Sequence, residues 1–121
     1  MIKIPLYKPS LSINEKKNVI ECLNENWISS KGKFIEKFEL NFKKKFKYKF
    51  ATVTTNGTTA LHLSLLALDI KKNDEVIVPN LTYVAPVNSV KYVGAKPILV
   101  DVNGKTWLMN IKDIIKKINK K

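Results

Sequence analysis

The stretch TTNGTTAL, residues 54–61, decides how this chain folds. Before it, the apolar and partly β-branched run 50–53 predicts a buried strand. After it, Leu61, Leu65 and Leu68 recur at helical spacing within a leucine-rich run that reaches Ile70, which predicts a helix. Asn56 and Gly57 tolerate backbone angles that other residues resist, so we expect them to form the turn between the two. The sequence predicts a strand, a tight turn and a helix.

Two interpretations fit the start of this helix. The first backbone N–H groups of a helix have no partner within it, and they lie at the positive end of the helix dipole. Thr58 and Thr59 add hydroxyl donors there, and Gly57 lets an anion approach the backbone closely. The turn is therefore predicted to bind a phosphate group. The alternative is an ordinary helix cap with no ligand, and these residues alone leave both open.

The composition limits the class of protein. The 121 residues form at most one ordinary domain, and they include 22 lysines and no arginine, with a net charge of +12. A basic balance is typical of nucleic-acid-binding proteins. Arginine, however, is the better bidentate ligand of phosphates and guanines, so its absence argues against nucleic acid as the partner.

The remaining compositional features concern membranes, metals and location. The chain has no apolar run long enough to span a bilayer, and its N-terminus lacks the form of a secretory signal. Its single cysteine, Cys22, excludes an internal disulfide and cannot by itself make a structural zinc site. We therefore expect a cytoplasmic protein with no metal centre and no membrane partner.

The N-terminal part is predicted to be mostly helical. Residues 1–11 contain two prolines and form an extended arm. Ser12 and Glu15 have the spacing of a capping box, which opens a helix ending near residue 24. After a loop at 26–32, a second helix covers 33–45. Phenylalanines at 34, 38, 42 and 46 recur every four residues there, and we expect them to form a core.

The second part alternates strands and helices, which favours a parallel sheet with right-handed crossovers. The run 75–79 is continuously apolar, as in a strand buried on both faces. Asn73 is expected to adopt a left-handed backbone conformation, and Gly94 to end a helix. The further elements are helices at 84–92 and 111–118 and a strand at 96–102. Ligands bind beyond the carboxyl ends of such strands, where the segments 56–59, 80–85 and 101–103 fall.

Tyr83 lies in the loop after the buried strand 75–79, at the same predicted edge as the turn at 56–59. A tyrosine there can stack on a flat heteroaromatic ring whose phosphate is bound by the turn. It can equally pack at the top of the sheet, and the sequence alone does not separate the two.

Five motifs occur in order at the spacing of a known family: WISSKG at 27–32, NGTTALHL at 56–63, DEVIVP at 74–79, LTYVA at 81–85 and GAKPILVD at 94–101. Together they resemble the N-terminal third of proteins of the DegT/StrS family of pyridoxal-phosphate-dependent sugar aminotransferases. The motif sequences are most similar to those of the perosamine synthase branch. The family usually has Gly-Asp where this chain has Asn73-Asp74. That difference is mild, because asparagine also accepts the left-handed conformation.

The resemblance implies a fold and a set of site residues. The fold is the N-terminal part of the large domain of an aspartate-aminotransferase-like (fold type I) enzyme, with an incomplete sheet and helices on both faces. Residues 1–31 would supply the arm, first helix and substrate-side loop, and 32–121 the start of the α/β sheet. Gly57, Thr58 and Thr59 would bind the phosphate of pyridoxal 5'-phosphate, and Tyr83 would stack on its ring.

The same resemblance places Ser29 and Ser30 as candidate sugar contacts. His62, the only histidine, lies one turn into the predicted helix, and we expect it to pack rather than to transfer protons. The family's Schiff-base lysine and the carboxylate at its pyridine nitrogen would lie beyond residue 121. We therefore expect a truncated enzyme with no catalytic residue of its own, inactive as this polypeptide. The C-terminal part of the large domain and the small domain would be absent.

The implied activity moves an amino group from glutamate to a nucleotide-linked 4-keto-6-deoxy sugar, for O-antigen or another surface polysaccharide. The full-length protein is expected to be a homodimer. The alternative is a non-catalytic basic α/β module, or relic, that binds nucleotides or nucleic acid through its lysines.

Overall fold

The computed structural model describes residues 4–5 and 7–118, and the chain divides into two compact units, Met1–Val53 and Thr54–Lys121. The helices and strands of the described residues are α1 Ile13–Asn24, α2 Lys33–Phe46, α3 Gly57–Ala67, β1 Glu75–Pro79, α4 Ala85–Tyr92, β2 Lys96–Val100 and α5 Ile111–Lys117. Part of the predicted arm at 1–11 lies outside the described residues. The part that is described is neither helix nor strand.

In the first unit, α1 begins with the predicted capping box. The Ser12 hydroxyl accepts a hydrogen bond from the Asn14 N–H at 3.2 Å, and the Glu15 carboxylate accepts from the Ser12 N–H at 2.7 Å. The Ser12 hydroxyl also donates to this carboxylate. These bonds favour the ionised form, and the one from the Ser12 hydroxyl is the main reason why the pKa of Glu15 lies below its ordinary value.

The aromatic stripe of α2 has the predicted spacing, but the prediction that it forms a core is wrong. Phe38, Phe42 and Phe46 contact one another, with successive ring centroids 5.9 Å and 4.6 Å apart. Their exposed fractions are 57%, 38% and 50%. Residues of α1 and α2 line an open cavity to which Phe38 contributes, so the rings stack on each other instead of entering a closed core.

The predicted strand at 50–53 does not form. A strand requires a hydrogen-bonded neighbour, and among the described residues only β1 and β2 form a sheet. The backbone N–H of Val53 donates instead to the carboxylate of Glu39, 2.9 Å away. The residues of this run are therefore assigned to neither helix nor strand.

In the second unit, β1 and β2 form the predicted parallel pair. Glu75 is in register with Lys96 and Pro79 with Val100. The first of these pairs is also an ion pair, with 3.0 Å between the Lys96 ammonium and the Glu75 carboxylate. Asn73, just before β1, has φ 78°, which confirms its predicted left-handed conformation.

The core of this unit lies where α4 packs on the sheet. Val78, Val90 and Ala95 are buried together, and Leu65 and Ile70 pack against them. Val78 is the only residue of β1 that is buried, so the prediction that both faces of this strand are covered is wrong. Two strands cannot cover each other's faces, and the described helices cover only part of them.

Gly94 ends its helix as predicted, and Asn110 begins the last one. Gly94 has φ 77°, a left-handed conformation that suits glycine, and it separates α4 from β2. The side chain of Asn110 accepts from the Lys112 N–H at 3.0 Å and so caps α5. Strand β2 is two residues shorter than predicted, because Val102 pairs with Met109 in an isolated antiparallel bridge.

Candidate functional site

The start of α3 is built by a reciprocal cap between Asn56 and Thr59. The Asn56 side-chain oxygen accepts from the Thr59 N–H at 3.0 Å, and the Thr59 hydroxyl donates to the Asn56 carbonyl at 2.9 Å. Asn56 has φ −163°, which is extended backbone that any residue adopts, and Gly57 is not left-handed. The expectation that this turn needs unusual backbone angles is therefore wrong. Its geometry depends on the Asn56 side chain.

The cap leaves two backbone donors free at this helix start. The Thr59 N–H is taken by Asn56, and the Ala60 N–H donates to the Asn56 carbonyl at 3.1 Å. The N–H groups of Gly57 and Thr58 have no acceptor among the described residues. A Cβ built on Gly57 would meet no atom within 4 Å, and the first turn carries no acidic residue. An anion can therefore approach both donors.

Thr58 and Thr59 differ in what their hydroxyls can do. The Thr59 hydroxyl is committed to the cap described above. The Thr58 hydroxyl has no hydrogen-bond partner in the part of the chain that the structure describes. Of the two threonines, Thr58 is thus the one whose hydroxyl is available to a ligand.

Helix α4 lies directly against α3, and two contacts define how they pair. The hydroxyl of Ser89, a fully buried residue, is 3.1 Å from the Thr58 carbonyl oxygen. One turn further along, the rings of His62 and Tyr92 meet edge-on with centroids 5.6 Å apart. From the first contact to the second, residue numbers rise along both helices. The two helices are therefore parallel, and their starts lie at the same end of the pair.

Tyr83 precedes the first residue of α4 by two positions, and it is 79% exposed. It therefore lies near the end of the helix pair at which α3 starts. Its ring is available to a ligand, and packing at the top of the sheet, the alternative that the sequence left open, is not what the described residues show.

The predicted carboxyl-edge segments are partly confirmed. The Asn80 N–H, just after β1, donates to the carbonyl of Val100 at the end of β2, 2.8 Å away. The segments 80–85 and 101–103 therefore start side by side at the carboxyl ends of the two strands. The segment 56–59 follows the run 50–53, which forms no strand. It is connected to α4, the helix after the segment 80–85, by the hydrogen bond between Ser89 and Thr58.

Ser29 and Ser30 belong to the first unit. The Ser29 hydroxyl accepts from the Lys31 N–H at 3.2 Å and lies 3.1 Å from the Lys31 carbonyl, so it stabilises its own turn. A cavity of about 600 Å³ in the same unit is lined by Trp27 and Ile28 of this loop, together with residues of α1 and α2, but not by the two serines. Thr58 and Tyr83 belong to the second unit, so each pair of residues is described within its own unit.

The sequence motifs did not indicate Ser89. In the predicted helix 84–92 it is a small polar residue one turn from the apolar residues Ala85 and Val93. A fully buried hydroxyl needs an acceptor, so such a position indicates a specific contact.

The sequence model of the DegT/DnrJ/EryC1/StrS aminotransferase family matches residues 9–121. The chain belongs to this family. Among its relatives, a GDP-perosamine synthase of Escherichia coli O157:H7 is 55% identical over 118 residues, and one of Vibrio cholerae is 47% identical over the same length. Each alignment covers 98% of this chain.

A solved structure agrees with the family assignment. A putative sugar aminotransferase of Streptococcus pneumoniae, in its PLP form, superposes with a TM-score of 0.85 and 29% identity, over 98% of this chain and 30% of that one. The chain spans about a third of the two curated relatives, 32% of each. Its fold is therefore part of the aminotransferase fold, which confirms the predicted α/β class and disfavours an unrelated basic module.

Two further features bear on the kind of site. No helix within residues 4–5 and 7–118 is long and apolar enough to cross a membrane. In the same described ranges, no group of histidine, cysteine, aspartate or glutamate side chains is placed to hold a metal ion.

Proposed function

We propose that this chain is the N-terminal part of a pyridoxal-phosphate-dependent aminotransferase that acts on a GDP-linked 4-keto-6-deoxy sugar, as in perosamine formation. The observation that supports it most is the 55% identity, over 98% of the chain, to a relative named GDP-perosamine synthase. Within this proposal, residues 1–31 supply the arm, first helix and substrate-side loop, and 32–121 begin the large domain.

The start of α3 fits the cofactor's phosphate. The free N–H groups of Gly57 and Thr58, the open space at Gly57 and the unpaired Thr58 hydroxyl offer three donors to one anion. We assign Thr59 an indirect part, because its hydroxyl holds the cap. Charge-assisted bonds to a phosphate are stronger than bonds between neutral groups, so this donor set can anchor the cofactor.

Tyr83 is proposed to stack on the cofactor ring. It is exposed, and it precedes the helix that Ser89 ties to Thr58. A flat aromatic side chain excludes water from one ring face and fixes the ring's tilt. Ser29 and Ser30 remain proposed sugar contacts, supported only by the position of their loop in the family resemblance.

The proposed reaction exchanges one amine for one carbonyl. Glutamate becomes 2-oxoglutarate while C4 of the sugar becomes an amine, so no oxidant or reductant is consumed. Pyridoxal phosphate, when bound, supplies an electron sink for the bond that breaks at the amine-bearing carbon. We propose that the lysine that transfers protons is supplied by a part of the protein that this chain does not include. We also propose that the full-length protein is a cytoplasmic homodimer, and the lone Cys22 suits a reducing compartment.

A hybrid protein tests this function. In it, residues of this chain replace the 118 aligned residues of the Escherichia coli relative, whose remaining residues are kept. With pyridoxal phosphate, glutamate and a GDP-linked 4-keto-6-deoxy sugar, we expect 2-oxoglutarate and the amino sugar in equal amounts. The unmodified relative is the positive control. The polypeptide 1–121 is expected to give no turnover above free cofactor. A folded hybrid that binds the cofactor but produces no amino sugar would contradict the proposed substrate.

A further inference from the structure

We propose that Ser89 is a positioning residue that fixes the start of α3 relative to the start of α4. The inference rests on the proposed function, because the two helix starts matter there as the phosphate site and as the support of Tyr83. Ser89 itself touches neither the cofactor nor the substrate.

The hydrogen bonding of Ser89 supports this role. The residue has no exposed surface, and its hydroxyl lies 2.8 Å from the Ala85 carbonyl and 3.1 Å from the Thr58 carbonyl. A serine hydroxyl has one proton, so the two carbonyls share it. The Ala85 contact is the local bond that serine makes to the preceding turn of its own helix, whereas the Thr58 contact joins two helices.

The contact between Ser89 and Thr58 lies at the proposed phosphate site. The Thr58 carbonyl belongs to the first turn of α3, next to the free N–H groups of Gly57 and Thr58. Holding that carbonyl fixes where the phosphate donors lie relative to α4. On the other helix, Ser89 is one turn after Ala85, where the Tyr83 loop enters α4. With the His62–Tyr92 ring contact further along, the pair is held at two points, which fixes both sliding and rotation.

A ligand that spans both helix starts should depend on Ser89, whereas one that binds only the phosphate site should not. Pyridoxal phosphate is the spanning ligand, and inorganic phosphate is the short one. We therefore expect Ser89→Ala in the hybrid protein to lower the affinity for pyridoxal phosphate about fivefold, the worth of one neutral hydrogen bond. The affinity for inorganic phosphate should be unchanged. The circular dichroism band of the bound cofactor should also change, since the tilt of its ring is no longer fixed.

Ser64→Ala is a matched control. Ser64 is exposed, and its hydroxyl makes the same local bond, to the Ala60 carbonyl at 2.8 Å, but it makes no hydrogen bond to another helix among the described residues. This variant should retain wild-type affinity and the wild-type dichroism band. Ser89→Cys, whose sulfur is a weak donor of similar size, should fall between wild type and Ser89→Ala, and it serves if Ser89→Ala does not fold.

The outcomes separate the two proposals. A lower affinity for pyridoxal phosphate, an unchanged affinity for inorganic phosphate and an altered dichroism band would together support the role of Ser89. Equal losses for both ligands, or Ser89 variants that behave like Ser64→Ala, would overturn it while leaving the proposed function intact. A wild-type hybrid that folds but binds no pyridoxal phosphate would overturn the proposed function, and this inference with it.

Discussion

The imidazole ring of His62 meets the phenol ring of Tyr92 edge-on, with 5.6 Å between centroids and 64° between ring planes. The two residues belong to α3 and α4, so their contact holds the helices together beyond the buried Ser89. His62 is half-buried, and it is the chain's only histidine. A ring engaged in packing supports the interpretation that this histidine is structural rather than an acid or base.

The role of His62 can be tested by replacing it with another flat ring. His62→Phe keeps the edge contact, so the hybrid protein should retain its transaminase rate and its cofactor affinity. His62→Ala removes the ring and should lower the free energy of unfolding by about 0.5–1.5 kcal/mol. Chemical denaturation and steady-state rates measure both. A large loss of rate in a stably folded His62→Phe protein would reveal a proton-transfer role instead.

The capping box of α1 predicts a pH dependence. The Ser12 hydroxyl lowers the pKa of Glu15 in the folded protein below its ordinary value near 4.5. A lowered pKa means that the stabilisation is present above the ordinary value and is lost as the pH falls through the folded-state value. The glutamine of Glu15→Gln cannot titrate. The difference in free energy of unfolding between this variant and the wild-type hybrid should therefore shrink as the pH falls below about 4.5. Thermal unfolding at a series of pH values measures it, and a constant difference would contradict the assignment.

Two substitutions distinguish the role of the Tyr83 ring from that of its hydroxyl. In the hybrid protein, Tyr83→Ala should weaken cofactor binding by about 0.5–1.5 kcal/mol, the worth of an aromatic stacking contact. Tyr83→Phe keeps the stacking face and should be nearly silent. Cofactor titration followed by absorbance provides both affinities. If Tyr83→Phe were as damaging as Tyr83→Ala, hydrogen bonding or proton transfer would replace stacking.

The polypeptide 1–121 should behave poorly when it is expressed alone. Its described residues bury only four hydrophobic side chains, Val78, Val90, Ala95 and Val100, while Phe50 and Leu68 are among the many left exposed. Large apolar patches bind hydrophobic dyes and favour aggregation. We expect strong dye fluorescence and no cooperative thermal transition, in contrast to the hybrid protein. A monomeric, dye-silent polypeptide with a sharp transition would refute this.

Local features of the fold were predictable because their causes are local. The Ser12–Glu15 cap, the left-handed Asn73 and the glycine at residue 94 each depend on neighbouring residues. The parallel pairing of β1 and β2 followed from the alternation of strands and helices. Helix α3 ends three residues before the predicted residue 70, because Asp69 adopts a left-handed conformation that the leucine spacing does not encode.

Features that depend on distant partners were not predictable. The run 50–53 has the composition of a strand but finds no ladder, and the phenylalanines of α2 have the spacing of a core but find no covering element. At the candidate site, sequence motifs indicated Gly57, Thr58, Thr59 and Tyr83. They did not indicate that the Thr59 hydroxyl is used by the Asn56 cap, or that Ser89 contacts Thr58 across 31 residues.

Titration of the hybrid protein with pyridoxal phosphate measures whether the start of α3 binds the cofactor phosphate through Thr58. Thr58→Val keeps the shape but removes the free hydroxyl, a charge-assisted bond worth about 1.5–3 kcal/mol, so affinity should fall about tenfold or more. Pyridoxal without its phosphate should bind both proteins equally. Unchanged affinity of Thr58→Val for pyridoxal phosphate would contradict this role of Thr58 and leave this turn an ordinary helix cap.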